Sequence, residues 1–398
     1  MVAPKRHSPM FEESLKRLAR DHLLRTLRRV EGEQGPWVSV DGRKVLLLSS
    51  NNYLGLANHP KVKIAAAAAI DRYGVGAGAA RLISGNTPLH EELEHRLAQF
   101  KGTEAALLFS SGYLANLGLP AALLQAGDLV VADRLCHASL IDGCRLARAT
   151  FRVYPHRDTD RLKRLLARRR ADQRVLIVTD GVFSMDGDIA PLPEIVALAK
   201  RYGAMVLLDD AHATGVLGES GQGTLEHFHL AHDGDEGIIQ MGTLGKAFGT
   251  YGAYVAGSRA LITYLLNTAR TFLFTTAIPP AVAAATLAAL DILEQEPERR
   301  QRLGKNQRTL AHGLAAAGFT THQGETPIFP LIVGDPGRTV AMSEQLWEAG
   351  IWVPAIRPPT VPAGTSRLRL SVMATHTTAD LNTAIQAVTR AGKEAGLL

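Results

Sequence analysis

The chain has 398 residues, 46% hydrophobic and 6% aromatic, enough material for roughly two domains of ~100–200 residues with packed cores. With 44 Lys and Arg against 38 Asp and Glu, its formal charge is +6; a basic surface of that kind suits nucleic acid, anionic lipid or a polyanionic small molecule. No apolar run reaches the ~20 residues of a bilayer crossing. The opening MVAPKRHSPM lacks the apolar stretch of a secretory signal, and the two cysteines, Cys136 and Cys144, form no metal pattern, so a cytoplasmic setting is expected.

In chain order, a charged helix is predicted over 11–29, followed by a turn and two short strands at 37–40 and 44–49. Residues 1–50 therefore read as an appendage. An alanine-rich helix over 60–73 ends at the glycine-rich stretch 74–81. Short runs rich in Val, Ile, Leu and Ala then recur at 105–109, 129–132, 151–154, 175–179, 205–208, 238–241 and 253–256, as strands covered on both faces require. Helices are expected between most of them, at 114–125, 140–147, 160–170 and 192–202. That alternation predicts an α/β large domain over 51–278, built on a mostly parallel seven-stranded sheet. Pro279-Pro280 opens a connecting helix over 279–303, since proline is tolerated at a helix start. Residues 304–398 hold strands at 329–332 and 367–372, helices at 339–349 and 378–391, and a proline-rich loop at 356–363, and read as a smaller α+β domain.

Several familiar motifs fail on inspection. Gly76-Ala-Gly78-Ala-Ala-Arg81 begins like a dinucleotide fingerprint, but Arg81 stands at the third glycine position and a helix precedes it. Gly245-Lys246-Ala247 lacks the first glycine of a P-loop, where Gln240 stands, and its final Ser or Thr. His90-Glu-Glu-Leu-Glu-His95 puts Glu94 where a zinc helix needs its second histidine, so no metal is expected. The basic run 161–170, RLKRLLARRR, lacks the interleaved aromatics of a nucleic-acid reader and is better explained as a solvated helix face.

What survives is a set of polar groups at predicted strand ends, the edge at which open α/β sheets bind ligands. Asp209 closes the apolar run Val206-Leu-Leu; taken alone it is equally a cap for the next helix. Lys246 comes after a strand among small residues, and a lysine confined among apolar groups is the kind whose neutral amine becomes nucleophilic; a plain turn lysine is the blander account. Ser110-Ser111-Gly112-Tyr113 precedes a helix whose free N–H groups could hold phosphate, or is a simple serine cap. His137 could stack on a flat ring or merely cap a helix, and Thr179-Asp180 leads into Ser184 after another strand. An anion site, an aspartate, an imidazole and a lysine together are the parts of a pyridoxal-phosphate (PLP) site, with a lysine Schiff base and an Asp partner for the pyridinium nitrogen.

These segments, with Ser49-Ser-Asn-Asn-Tyr-Leu-Gly55, Arg81-Leu-Ile-Ser-Gly-Asn86, Gly181-Val-Phe-Ser-Met-Asp-Gly-Asp188, Asp209-Asp-Ala-His212 and Thr243-Leu-Gly-Lys246, resemble the α-oxoamine synthases, PLP enzymes of the aspartate-aminotransferase fold (fold type I). The resemblance runs from Arg25 to the last helix. It implies that Lys246 carries PLP and moves the α-proton, that Asp209 pairs with the ring nitrogen, that His212 bonds the phenolic oxygen and that His137 stacks on the ring. It implies that Gly112, Tyr113, Ser184 and Thr243 hold the phosphate and phenolic oxygen, with Thr275 and Thr276 reaching the phosphate from the second subunit of a homodimer. Arg369 would take the amino acid's carboxylate; Arg25, Asn51 and Arg357 would lie near an acyl-CoA or carrier thioester. The stretch Ala355-Ile-Arg-Pro-Pro-Thr-Val-Pro-Ala-Gly-Thr-Ser-Arg-Leu-Arg-Leu370 resembles the biotin-synthesis branch of that family, and this resemblance implies the decarboxylating condensation of alanine with a pimeloyl thioester. Sister condensations of glycine with acetyl- or succinyl-CoA, or of serine with a long acyl-CoA, are the alternatives. There are two departures: Asp180 stands where relatives are expected to have Glu, a shorter side chain that would move its contact, and Gly76–Ala80 is richer in alanine than expected, which bears on acyl and amino-acid preference.

Overall fold

The computed structural model describes residues 8–230 and 237–398. Two compact units are present, one of Asn51–Leu303 and one of Met1–Ser50 together with Gly304–Leu398. The first fifty residues thus share a unit with the C-terminal part of the chain. The reason is a long-range pairing: Arg43–Leu47, antiparallel to Trp37–Val40, also lies parallel to Ile351–Trp352.

In the 51–303 unit seven strands form one sheet: β1 (Ala105–Phe109), β2 (Leu129–Asp133), β3 (Thr150–Tyr154), β4 (Val175–Asp180), β5 (Met205–Asp209), β6 (Ile238–Thr243) and β7 (Ala253–Gly257). Their spatial order is β1-β7-β6-β5-β4-β2-β3. The pairs from β3 through β6 are parallel. Only β7 runs backwards, antiparallel to both β1 and β6. Six carboxyl ends therefore share one edge.

Both faces are covered, as the unbroken apolar runs predict. Val130, Ala132, Leu176, Val178 and Leu207 enter one core cluster. Their neighbours Leu129, Val131, Ile177 and Val206 enter the other. Side chains alternate between the faces of a strand, so a run buried on both sides must be apolar throughout.

Helices Gly112–Leu123, Ala138–Leu146, Thr159–Leu166 and Leu192–Tyr202 connect the strands. In the basic run, Leu162 and Leu166 are fully buried while Lys163, Arg164, Arg168 and Arg170 are exposed, which is a solvated helix face. Helix Pro60–Tyr73 packs on Pro280–Gln295 through Ala69, Ala281 and Ala284. The helix expected over 279–303 stops at Gln295, and Glu298–Ala316 is a second helix. Pro297 separates them: it has no N–H to donate and disfavours helical geometry at Glu296.

In the other unit, Ile328–Gly334, Ser366–Ser371 and Ala355–Ile356 form an antiparallel sheet. The first helix spans Ser8–Arg20, shorter than the expected 11–29. The chain turns at His22, where φ is 55°. The N–H groups of Leu23 and Leu24 fold back onto the carbonyl of Leu18. Beyond the turn, Arg25 donates to the carbonyls of Arg357 and Pro358, so this charged segment is held by backbone oxygens instead of continuing its own helix. Among the described residues no helix is long and apolar enough to cross a membrane.

Candidate active site

At the carboxyl edge of the sheet lies a cavity of about 180 Å³ lined by Gly112, Tyr113, His137, Asp209, His212, Thr243 and Lys246, together with Asn116, Ser139, Asp180, Ala211 and Met241. The first seven are expected at or just after strand ends from sequence alone, and the topology brings those ends together. Asp209 closes β5, Lys246 comes after β6, Gly112 starts the helix after β1 and His137 caps the helix after β2.

Asp209 is buried, and its carboxylate is oriented on both sides. Oδ1 accepts from the Ala211 N–H at 2.9 Å and Oδ2 from Asn116 Nδ2 at 2.7 Å. Its neighbour Asp210 faces elsewhere, into a buried ion pair with Lys101 at 3.1 Å. Thr224 Oγ1 also donates to Asp210. Of the Asp209-Asp210 pair, only the first lines the cavity.

Lys246 Nζ lies 2.8 Å from His212 Nε2. The other nitrogen of that imidazole, Nδ1, meets the hydroxyl of Tyr53 at 2.7 Å. Tyr53 is fully buried, and its hydroxyl reaches Asn51 Oδ1 at 3.1 Å. A chain Asn51–Tyr53–His212–Lys246 therefore fixes the amine from one side.

His137 caps its helix, its Nδ1 accepting from the Ser139 N–H. The cap and the cavity wall are the same residue, so the two roles open to it do not compete. Desolvation around the cavity pulls its imidazole below the usual pKa, against the opposing pull of Asp209. Burial thus favours its neutral form. Ser111 likewise caps the helix Gly112–Leu123, accepting from the Leu114 N–H at 3.2 Å. The serine satisfies one of the free N–H groups of that first turn.

Asp180 pairs in register with Asp209 across β4 and β5, and its Oδ1 accepts from the His137 N–H at 3.1 Å. Burial, and then the charge of Asp209, push its carboxyl well above the usual carboxylate range. The shorter aspartate at this position reaches the backbone behind the imidazole.

Other expected residues lie elsewhere. Thr275 and Thr276 line a narrow cleft with Arg81 and Ser110, distinct from the Lys246 cavity. Ser184 is buried in the loop after β4 and is not among the cavity's lining residues. Arg25, Arg357 and Arg369 belong to the other unit. There Arg369 is a buried strand residue, and Arg357 donates to the Leu24 carbonyl. Among the described residues no His, Cys, Asp and Glu cluster could hold a metal.

Asn116, Tyr53 and Ser139 are site residues that the sequence reading does not single out. Asn116 stands four residues after Gly112 on one helix, so both face the same way, an i,i+4 signal that the sequence does carry. Tyr53 acts through a contact 159 positions away, for which no local signal exists. Replacing Tyr53 with Phe should cut kcat/KM about tenfold, the worth of one hydrogen bond that orients His212. Steady-state kinetics beside a thermal melt would check this; unchanged kinetics would show that His212 needs no such partner.

Residues 43–388 match the aminotransferase class I and II family, and the chain belongs to that family. Within it, the chain belongs with the α-oxoamine synthases. The 8-amino-7-oxononanoate synthase of Geobacter sulfurreducens is 54% identical over 386 residues, covering 96% of this chain and 98% of that protein. The enzyme of that name from Thermoanaerobacter pseudethanolicus is 48% identical over 389 residues, 98% of each. Among solved structures, serine palmitoyltransferase of S. paucimobilis with a bound PLP–myriocin aldimine superposes with a TM-score of 0.92 at 33% identity, covering all of both chains. The 8-amino-7-oxononanoate synthase of Francisella tularensis gives a TM-score of 0.76 at 29% identity, over 88% of this chain and 98% of that one.

Proposed function

We propose that this chain holds PLP covalently on Lys246 and condenses L-alanine with a pimeloyl thioester, giving 8-amino-7-oxononanoate, carbon dioxide and the free thiol, as a step of biotin synthesis. The observation that carries the reading is the convergence of Lys246, Asp209, His137 and a helix N-terminus on one cavity. The residues present fit the cofactor. Asp209 offers a carboxylate whose two oxygens are already aimed, the helix Gly112–Leu123 offers N–H groups and its positive end, and His137 offers a flat ring as a wall. The names of relatives at about half identity supply the product, 8-amino-7-oxononanoate, and the family resemblance supplies alanine and the pimeloyl thioester.

PLP, when bound, supplies an electron-withdrawing ring that stabilises negative charge on the amino acid's α-carbon. Everything else falls to side chains. Asp209 keeps a proton on the ring nitrogen. Once freed by the amino group of alanine, Lys246 Nζ would take the α-proton, with His212, 2.8 Å away, holding that amine in place. A carbon–carbon bond then forms between the α-carbon and the thioester carbonyl, and the thiol departs. The bond to the carboxyl group breaks next, releasing carbon dioxide, and a proton returns to the α-carbon. By the resemblance, Arg369 would pair with the alanine carboxylate, and Arg25, Asn51 and Arg357 would attend the thioester. Gly112, Tyr113 and Thr243, which line the cavity, would hold the phosphate and phenolic oxygen, and by the resemblance Ser184 would join them from the loop after β4. Thr275 and Thr276 reach the phosphate of a second copy. Their lying outside the Lys246 cavity, beside the exposed Phe274, supports a homodimer.

A second reading, condensation of serine with a long acyl-CoA, is favoured by the close superposition on serine palmitoyltransferase. Mass spectrometry of products from alanine, glycine and serine, each offered with pimeloyl-, acetyl-, succinyl- and palmitoyl-CoA, separates the readings. The expected product comes from alanine and pimeloyl-CoA. Product only from serine with palmitoyl-CoA, or only from glycine, would replace this assignment with a sister reaction.

A further inference from the structure

His156 lies just past β3 and sits between two carboxylates from different loops. Its Nδ1 lies 3.0 Å from Asp133 Oδ1 and its Nε2 2.7 Å from Asp188 Oδ2. A neutral imidazole has one N–H and one lone pair and can serve only one carboxylate. Both contacts together require the imidazolium, which has two donors.

The two partners anchor separate pieces of the cavity's surroundings. Asp133 ends β2, four residues before His137. Its oxygens also accept from the N–H groups of Leu135 and Arg157, both at 2.8 Å, so it braces the turn that leads to His137. Asp188 lies on the returning leg of the loop that carries Ser184. That loop is closed by the Val182–Ile189 bridge and by the Phe183 N–H on the Asp188 carbonyl at 3.0 Å. Phe183, fully buried, meets the His156 ring edge-on with centroids 4.4 Å apart. Arg157 Nη1 reaches Asp188 Oδ2 at 3.2 Å, while Asp188 Oδ1 is buried with no hydrogen-bond partner among the described residues. The charge of Asp188 is thus met at one oxygen, by His156 and Arg157.

We infer that His156, as an imidazolium, is a positioning residue that ties the loop bearing His137 to the loop bearing Ser184. It touches neither substrate nor cofactor; it sets the spacing of two segments that, on the proposed reading of the site, flank the PLP ring and its oxygens. The charged groups facing it are Asp133 from β2, Asp188 from the loop after β4 and Arg157 from its own segment. Without the His156 proton, two carboxylates would face one arginine. Burial alone would lower the imidazole's pKa, but its hydrogen bonds to Asp133 and Asp188 overcome this and raise it to about 9. Because the folded value lies above the unfolded value of 6.5, the tether's contribution is complete below pH 6.5 and is lost as pH rises through about 9.

The test uses the full chain with His156→Gln, which keeps one donor, and Asp188→Asn, which keeps the shape and removes the charge. In cofactor-free protein near pH 7, amide exchange in 133–140 and 181–190 should speed up about tenfold in either variant, with β5 and β6 unchanged. The dissociation constant for PLP should rise about tenfold near pH 7. The gap between wild type and variant should close towards about pH 10, where the native tether has itself lost its proton. Native exchange in both loops, or an affinity ratio that stays flat across that pH range, would overturn the inference. A wild-type chain that takes up no PLP would refute the reading of the site instead, while the exchange measurement still decides the tether. If His156→Gln does not fold, Asp188→Asn carries both readouts.

Discussion

Lys246→Ala should lose at least about 10⁴-fold in kcat, the scale seen when a covalent catalyst loses its nucleophile. Alanine offers no amine to hold the cofactor or to move the α-proton. The rest of the cavity does not depend on that side chain: His212 keeps Tyr53 at Nδ1, and Asp209 keeps Asn116 and Ala211. The variant should therefore fold, melt near the wild-type temperature and still bind PLP, now exchangeably. Single-turnover assays with the variant measure the loss. A rate above about a hundredth of wild type, a deficit of less than ~2.7 kcal/mol in barrier, would remove Lys246 from the role assigned to it.

Asp209→Asn should be the next most severe change. The aspartate's Oδ2 accepts from Asn116 Nδ2 at 2.7 Å and its Oδ1 from the Ala211 N–H at 2.9 Å, so an amide there sets its NH₂ against one of these donors whichever way it is turned. The negative charge that, on the proposed reading, would face the ring nitrogen is lost as well. Breaking one side of a buried ion pair costs ~3–5 kcal/mol, which corresponds to a fall of roughly 10²–10⁴ in kcat/KM. A second effect is expected at Asp180. Burial is the main reason its carboxyl is raised, and the charge of Asp209 is the next. Removing that charge should bring Asp180 back down towards the ordinary carboxylate range. Kinetics with NMR titration of the Asp180 carboxyl would read both; wild-type kcat/KM in this variant would show that no charge is needed at position 209.

The strands are legible in the sequence because a sheet covered on both faces demands unbroken apolar runs, as in Val175-Leu-Ile-Val and Val206-Leu-Leu. The reversed direction of β7 is not, since a short buried run reads alike either way. The helix Pro88–Lys101 is absent from the sequence expectation although its signals are present: Thr87 before Pro88 at the start and Gly102 in left-handed geometry at the end. The joining of Arg43–Leu47 to Ile351–Trp352 spans some three hundred positions and leaves no local trace. The first helix is shorter than expected because its charge pattern continues past Arg20, whereas the His22 turn stops it.

The site divides in the same way. Asp209, Lys246, Gly112 and His137 can be found because each closes a strand or lies just beyond one. Asn116 orients Asp209 from the helix of Gly112, where its i,i+4 spacing is a sequence signal, whereas Tyr53 and His156 act from a distant loop and a neighbouring strand end, and only the fold brings those two into reach. Aspartate in place of the expected glutamate at position 180 proves compatible with the architecture, since the shorter side chain finds the His137 N–H.

The most direct measurement is reduction of PLP-treated protein with borohydride and then peptide mass spectrometry. The mass of a reduced pyridoxyl phosphate group should appear on the peptide containing Lys246, with loss of the yellow colour. An unmodified Lys246 peptide from protein that never took up the vitamin, or the adduct found on a different lysine, would contradict the account at its root.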